Sequence, residues 1–351
     1  MSLTSKINNT LNKWMRGAGP DSDVVISSRI RLARNIMGIP FPKSADSEDS
    51  KHVVEKVKDV LSDGDNEYGL KLLELETIPA LEREVMVEKH LISPEHAQAG
   101  ENKAVSLTDD ESISIMINEE DHIRIQTLLS GLQLNEAWEI NNKVDDYLES
   151  QLNFAFDERY GYLTACPTNA GTGMRASVML HLPALNLTKR INDVLGAISQ
   201  LGLAVRGLYG EGSEALGNLY QVSNQVTLGA TEEEIIDNLQ GVINQIIEQE
   251  RSAREALLKE NELKLEDRIY RAYGILSYAR QISTKEAMKL ISDVRLGIDL
   301  EIIENVSANI LNQLVILISP AALQKLAEKE LTSTQRDQKR AELIRSRISE
   351  N

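Results

Sequence analysis

The spacing of apolar residues changes character once along this chain, near residue 250, and that change limits what the chain can fold into. Before it, strand-like segments recur at Val24–Leu32, Ser112–Ile117, Tyr160–Cys166, Ser177–Leu182, Leu203–Leu208 and Leu219–Val226. Helix-like spacing recurs at Lys51–Leu61, Leu134–Leu152, Thr188–Leu201 and Glu232–Glu250. The two kinds do not alternate regularly. The pattern therefore predicts an α+β domain, an antiparallel or mixed sheet flanked by helices, rather than a doubly wound one. From about Arg251 onward the periodic segments are helical: Glu266–Ile282, Thr284–Leu296, Ser319–Glu330 and the charged Thr332–Ser349. Gly297 reads as a helix stop. The expected division is a mixed domain over residues 1–255 and an all-α domain over 256–351, joined through a charged stretch, Glu248–Glu262, that can run as one helix.

At 351 residues the chain has room for two such domains. Aromatics make up only 4% of a sequence that is 42% hydrophobic, so the cores must be built from Leu, Ile, Val and Ala. Cys166 is the sole cysteine, which excludes an internal disulfide framework and fits a reducing compartment. Met1–Pro20 lacks the apolar run of a secretory signal, and the longest greasy run, Leu314–Leu323, is broken by Ser319 and Pro320. The expectation is a cytoplasmic protein with no membrane segment. The net charge of −16 is unevenly shared. Residues 251–351 carry 17 basic and 15 acidic side chains, which leaves 21 and 39 for residues 1–250, a net −18. Such a surface argues against nucleic-acid binding, which rests on phosphate neutralisation by Lys and Arg. Arginines on strand-like segments inside so negative a domain suggest a local anion pocket.

Ser27-Ser28-Arg29-Ile30-Arg31-Leu32 carries the first of them. On a strand, Ile26, Ile30 and Leu32 face one way and Ser27, Arg29 and Arg31 the other. Two neighbouring guanidinium forks repel unless an anion lies between them, and phosphate fits; a solvated face paired with surface carboxylates is the plainer account. Arg175–Leu182 repeats the pattern, with Ala176, Val178, Leu180 and Leu182 on one face and Arg175, Ser177, Met179 and His181 on the other. Before it lies a small-residue loop, Cys166–Gly173, able to approach a ligand closely or to serve as a hairpin connection. In Asn118-Glu119-Glu120-Asp121-His122-Ile123-Arg124, a two-residue period puts Glu120, His122 and Arg124 on one face. A carboxylate beside an arginine can take a proton next to a bound phosphate, and an acidic solvent loop is the alternative. Gly210–Ala215 matches G-x-G-x-x-A, but Gly217 and Asn218 interrupt the helix a dinucleotide fold needs. Neither a P-loop nor the protein-kinase motif set occurs.

Taken together, these segments resemble the phosphagen (guanidino) kinase family across roughly residues 20–255. The likeness rests on SSRIRLARN (27–35), NEEDHIRI (118–125), CPTNAGTGMRAS (166–177) and RGLYGEG (206–212) followed by VSN (222–224), in that order. The resemblance implies that Arg29, Arg31, Arg124, Arg175 and Arg206 clamp the phosphates of ATP. The implied nucleotide site also includes Ser27, Ser28 and Ile30, then Ala176, Ser177, Val178 and Met179, and the segment Gly207-Leu208-Tyr209-Gly210-Glu211. His90 falls where the family places a nucleotide-contacting histidine. Glu120 and Glu211 are implied as acceptor-side carboxylates and Cys166 as the reactive cysteine beside the guanidinium, with Thr168 as a local donor. Mg²⁺ is expected on the nucleotide's oxygens and water, with no protein ligand to the metal. Gln221 stands where many small-guanidine members carry an acid.

Two departures bear on the acceptor. Small-guanidine members carry a helical domain of about a hundred residues before the SSR motif, whereas 26 residues precede it here. This chain instead adds helices at its C-terminus. Both features are similar to the family's bacterial protein arginine kinases, and Arg336-Asp337-Gln338-Lys339-Arg340-Ala341 matches their R-D-x-x-R-A motif. The implied pocket reads phosphoarginine through Arg336, Asp337, Arg340 and Ala341. The resemblance further implies protein substrates including a heat-shock repressor, an activator protein, a Clp-type unfoldase that reads the mark, and allosteric control in a stress response. A homodimer through the C-terminal helices is expected because the apolar run Ile310–Leu323 needs cover. The rival readings are a kinase for free arginine or another small guanidine, and a non-catalytic phosphoarginine-binding adaptor.

Overall fold

The computed structural model describes residues 11–16, 19–62, 66, 68–98, 100–207 and 215–349. Strand β1 (Val25–Arg34) sits inside an eight-stranded antiparallel sheet with β2 (Lys71–Glu74), β3 (Ala104–Leu107), β4 (Ile113–Ile117), β5 (Ile123–Ser130), β8 (Met174–His181), β9 (Leu203–Gly207) and β10 (Leu219–Asn224). Their order across the sheet is β2-β3-β4-β5-β1-β8-β10-β9. Strand β5 escapes sequence reading because Arg124, Gln126 and Thr127 dilute its alternation and the acids before it read as a loop. Of the expected strand Tyr160–Cys166, only β7 (Gly161–Tyr162) forms, pairing with β6 (Phe156–Asp157). Beyond it the Ala165 N–H donates to Asp121 Oδ1 rather than to a neighbouring strand, and Pro167 opens a short 3₁₀ turn, Pro167–Asn169.

One face of the sheet is apolar. Ile30, Leu32, Ile125, Ala176, Val178 and Leu180 are fully buried beneath helices α1 (Ser47–Ser62), α3 (Leu134–Glu149), α4 (Ile191–Gln200) and the first half of α5 (Glu232–Tyr278). The helix starts follow from local chemistry. Asp46 Oδ1 accepts the N–H groups of Glu48 and Asp49 at the head of α1. Thr231 and Glu234 form a reciprocal capping box at α5, and Ser283 caps α6 (Thr284–Asp299).

Helix α5 carries the chain from the first core into a second, with one non-helical residue on the way, Asn261. Its second half packs with α6, α7 (Ala308–Leu317), α8 (Pro320–Ala327) and α9 (Ser333–Ser349). Gly297 does not stop α6. It lies against Ile269 of α5, and a Cβ there would collide with that side chain, so the residue is needed for helix approach rather than termination. The run Ile310–Leu323 is covered by its own chain, with Leu311, Leu314, Leu317, Ile318 and Leu323 buried, which removes the reason offered for a dimer. Among the described residues no single helix is long and apolar enough to cross a membrane; only α7 and α8, bent by 88°, pass together on length and composition.

The two cores are tied by charged groups. Helix α2 (Ala80–Glu88) ends in Glu88, whose two oxygens accept the N–H groups of Ala321 and Ala322 at 2.8 Å, at the head of α8. Arg254 bonds Glu250 and the Asp23 carbonyl, and Arg295 bonds Asp299 and the Ser22 carbonyl.

At the end of β1, Arg34 is buried. Its Nε and Nη2 donate to Asp145 Oδ2 of α3 at 3.1 and 2.6 Å, and Nη1 donates to the carbonyls of Ala33 and Thr172. Its guanidinium also lies 3.5 Å from the centre of the Tyr162 ring. Gly173 has positive φ and sits 2.6 Å (from an ideal Cβ) from Arg34 Nη1, so no larger residue fits. Burial pushes the Asp145 carboxyl up while Arg34 holds it down. Removing one partner strands the other charge. Asp145→Ala is expected to destabilise the fold by about 3–5 kcal/mol, read as a shift in the denaturant midpoint.

Candidate functional site

The register of the sheet decides what its second face presents. Arg31 of β1 pairs with Arg175 of β8, and Arg29 pairs with Ser177. Arg124 of β5 pairs with Ala33, and Arg206 of β9 pairs with Gln221 of β10. Strands in a ladder lie about 4.8 Å apart and side chains alternate, so these five arginines, drawn from four strands, project from one face. The expected set is brought together.

Packing these cations side by side costs free energy. Burial, then the charges of Arg175 and Arg124, push the Arg29 guanidinium down to about 10. Burial, with Arg29, Arg124 and Arg175, pushes Arg31 well below its ordinary value. Neutral acceptors orient part of the set: Arg29 donates to Gln221 Oε1 at 2.9 Å and to Ser177 Oγ at 3.3 Å, and Arg175 donates to Ser223 Oγ at 3.4 Å. Among the described residues the Arg31 Nε–H has no acceptor. An anion with several oxygens is the ligand such a field favours, and triphosphate is of that kind.

A small cavity opens between Ser27, Arg29, His90, Leu128, Ser177, Met179 and Gln221. His90 thus shares a wall with Arg29. Its φ is +61°, its carbonyl accepts from Gln126 Nε2 at 2.8 Å, and its ring lies 6.0 Å from that of Trp14. Burial and then Arg29 push the imidazole down to about 4, so it stands neutral. Ser28, Ile30, Ala176 and Val178 point the other way. All four are fully buried on the helix side, where Ser28 Oγ–H donates to the Gly131 carbonyl, so only their backbone can approach a nucleotide.

The acidic motif is arranged differently from the two-residue period. Glu119 and Glu120 both hold Arg124, at 2.7 and 2.8 Å. Glu119, passed over in the sequence, is the buried one. Burial pushes its carboxyl up, but Arg124, the Ser93 hydroxyl at 2.6 Å and the Glu120 N–H hold it below its ordinary range. Glu120 is exposed. His122 does not share their face: it precedes β5 and turns inward, accepting the Ile36 N–H at Nδ1 and donating from Nε2 to the Pro40 carbonyl. Burial pushes its imidazole below the ordinary value.

Asp121 and Asn35 form the knot that sets these loops against each other. Asp121 Oδ1 accepts from Asn35 Nδ2 and from the Ala165 N–H, both at 2.7 Å, and Asn35 Oδ1 accepts the His122 N–H at 2.9 Å. Both residues are buried. The end of β1, the acidic turn and the approach to Cys166 are thereby fixed together. Cys166 is half-buried, with Sγ 3.0 Å from Thr168 Oγ1. Leu208, Tyr209, Gly210 and Glu211 lie outside the described residues, and Gly207 ends β9. Sequence reading quoted Asn35, Glu119 and Asp121 within motifs without giving them work; the one available signal was their polarity beside apolar strands.

In α9 both arginines of the expected pair are engaged with backbone carbonyls. Arg340 is buried and donates to the carbonyls of Ile318 and Ile282, at 2.9 Å each, and to Asp337. Arg336 donates to the Leu331 carbonyl at 2.8 Å, and Ala341 is buried in the second core.

Comparison with known proteins fits this geometry. The family model of ATP:guanido phosphotransferase, C-terminal catalytic domain, matches residues 52–253, more than half of the chain. The chain belongs to the ATP:guanido phosphotransferase family. Residues 262–351 of this phosphotransferase match a second model, Protein-arginine kinase McsB C-terminal domain. A protein-arginine kinase of Halothermothrix orenii is 58% identical over 349 residues, covering 99% of this chain and 100% of its own. One from Brevibacillus brevis is 57% identical over 351 residues, covering 99% and 98%. Among solved structures, a lombricine kinase superposes with TM-score 0.60 at 24% identity, over 67% of this chain and 68% of that one. A duplicated taurocyamine kinase from Schistosoma mansoni, solved with transition state analog components, gives 0.61 at 23% identity, over 78% of this chain and 40% of that one. These two share the guanidino-kinase fold.

If Asp121 positions the loops of this phosphotransferase, Asp121→Ala leaves two buried donors unpaired, a cost of about 1–3 kcal/mol each. The expected result is a lowered thermal midpoint and a fall in kcat larger than any change in KM for ATP, with Asp121→Asn, which keeps one acceptor oxygen, recovering part of both. Unchanged kcat in a destabilised Asp121→Ala protein counts against the positioning role.

Proposed function

We propose that this chain transfers the γ-phosphoryl group of ATP to arginine side chains of other proteins. The observation that carries the reading is the convergence of Arg29, Arg31, Arg124, Arg175 and Arg206 on one sheet face, beside the acidic turn and the Cys166 loop, in a chain whose whole length matches protein-arginine kinases.

Phosphoryl transfer asks for in-line positioning and for neutralisation of spreading negative charge. ATP, when bound, supplies the transferable group, with Mg²⁺ on its oxygens and on water. Among the described residues no group of three or more His, Cys, Asp or Glu side chains is placed to hold a metal ion. The arginine face neutralises the triphosphate, Gln221 and Ser177 hold Arg29 in place, and neutral His90 lines the nucleotide cavity. A guanidinium stays protonated far above neutral pH, so its nitrogen attacks only as a proton leaves. Glu120 is the exposed carboxylate of the pair on Arg124. Turning from Arg124 to the acceptor fork, it both orients the nitrogen and takes the proton, while buried Glu119 keeps Arg124 aimed at phosphate. Glu211 is the second acceptor carboxylate, and a Cys166 thiolate near Thr168 adds negative charge beside the guanidinium.

The same reading assigns catalysis to residues 1–255 and phosphoarginine sensing to residues 256–351, where Arg336, Asp337, Arg340 and Ala341 are the sensing residues. It takes in a heat-shock repressor among the substrates, an activator protein, a Clp-type unfoldase, allosteric control of a stress response and a cytoplasmic setting. For pairing of two copies we look to α5, where Leu263 and Tyr278 are exposed.

The test is mass spectrometry of a bystander protein after incubation with enzyme and Mg·ATP, under non-acidic conditions that preserve an N–P bond. Arginines heavier by one phosphoryl group are expected; modified free arginine beside an unmodified protein overturns the reading. Glu120→Gln is expected to lower kcat at least about 10²-fold while leaving nucleotide binding and fold intact, which also separates a catalyst from a binding adaptor.

A further inference from the structure

Four exposed apolar side chains flank the Cys166 loop, and we propose that they form a docking strip for the polypeptide that carries the target arginine: an extended, cationic segment with an apolar side chain within a few residues of that arginine. The inference rests on the protein-acceptor reading and says what kind of acceptor segment it favours.

The strip has two banks. Val226 and Leu228, 59% and 51% exposed, lie on either side of buried Thr227. Thr227 Oγ1 lies 2.8 and 2.7 Å from the carbonyls of Thr168 and Ala170, and its own carbonyl accepts the Thr172 N–H. Cys166 Sγ is 3.0 Å from Thr168 Oγ1, so this bank is pinned to the loop that carries the thiol. The other bank is the hairpin β6–β7, bearing Phe156 and Tyr160 at 51% and 46% exposure. It joins the same loop where the Tyr162 N–H donates to the Gly171 carbonyl at 2.8 Å. The banks meet at Gly171, whose ideal Cβ would lie 2.8 Å from Leu228 Cα.

Three considerations give the strip its occupant. An arginine side chain reaches roughly 6–7 Å from its Cα, so an acceptor backbone whose guanidinium lies at Glu120 and Cys166 must cross the loops around them. Each further residue advances it by about 3.4 Å, which brings neighbours one to three positions away over these side chains. Charge agrees: Asp157 and Glu158 sit exposed in the hairpin against one exposed cation there, Arg159, and with Glu120, which also pairs with Arg124, they favour a cationic segment over an acidic one. Finally, the chain has only 3 phenylalanines, and leaving one of them on the surface beside a reactive loop is a poor use of apolar area unless something covers it.

The experiment uses the full chain and three acceptors: a blocked arginine peptide flanked by leucine, the same peptide flanked by serine, and Nα-acetyl-arginine N-methylamide. The unaltered enzyme is expected to favour the leucine peptide over the serine peptide by about tenfold in kcat/KM, the order gained when part of a leucine side chain leaves water. The double variant Val226→Ser, Leu228→Ser is expected to erase that preference and to leave the serine peptide and the amide at their original rates, which also shows that it folds. Phe156→Ser reports on the second bank and is expected to reduce the preference. A preference that survives all three substitutions, or its absence in the unaltered enzyme, overturns the docking strip alone. Free arginine is run alongside as a fourth acceptor, and its turnover with neither peptide modified overturns the protein-acceptor reading beneath it.

Discussion

Guanidinium groups that the fold holds on neighbouring strands repel one another, and the rest of the molecule is arranged around that repulsion. Register alone sets it up: an antiparallel ladder through β5, β1, β8, β10 and β9 places Arg124, Arg31 with Arg29, Arg175 and Arg206 on one face. A slip of one residue in any of these strands would turn its arginine into the helix-side core, among the apolar side chains beneath the helices. The apolar face therefore does more than stabilise. Ile30, Leu32, Ala176 and Val178, buried beneath the helices, lock the register that the charged face could not choose for itself.

The repulsion is answered unevenly, and the unevenness suits the chemistry. Arg124 has two carboxylates, whereas Arg29 has neutral acceptors and the Arg31 Nε–H has none among the described residues. Carboxylates thus gather at the Arg124 edge of the face, while Arg29 is held by neutral acceptors. Arg34, three residues from Arg31, shows the contrast: buried against Asp145 and two carbonyls, it is spent on structure. Two arginines close in sequence serve opposite ends because one faces a helix bearing an acid and the other faces the cation-rich side.

This division was only partly legible in the sequence. The α+β character and the helical last hundred residues follow from periodicity, and the two faces of β1 and β8 follow from strand alternation. Strand β5 was missed because polar residues broke its pattern, and the face shared by Glu120 and Arg124 was extended to His122, which lies before the strand and is claimed by Ile36 and Pro40. Gly297 read as punctuation because sequence shows a missing side chain without showing the Ile269 that needs the space. Arg336 and Arg340 share a helix face by spacing, yet the carbonyls of Ile318 and Ile282 take Arg340 inside. In each case the sequence named a capacity and the tertiary partner decided its use.

The helical part is bonded to the catalytic part at a place that bears on the nucleotide side. Arg340 holds the carbonyl of Ile318, the residue that ends α7; three residues on, the N–H of Ala321 is held by Glu88, and two residues after Glu88 comes His90 on the cavity wall. The links are short and mostly backbone, so a displacement at one has little slack to absorb it before the next. Burial pushes the Glu88 carboxyl up to about 7 although two N–H groups of α8 favour its charge. Beside the ion pair of Lys325 with Glu82 on the same two helices, the Glu88 contact adds a hold of a different kind. It is a helix cap whose charge is nearly balanced at neutral pH, and its hold on α8 is set by the same burial that fastens the two cores together.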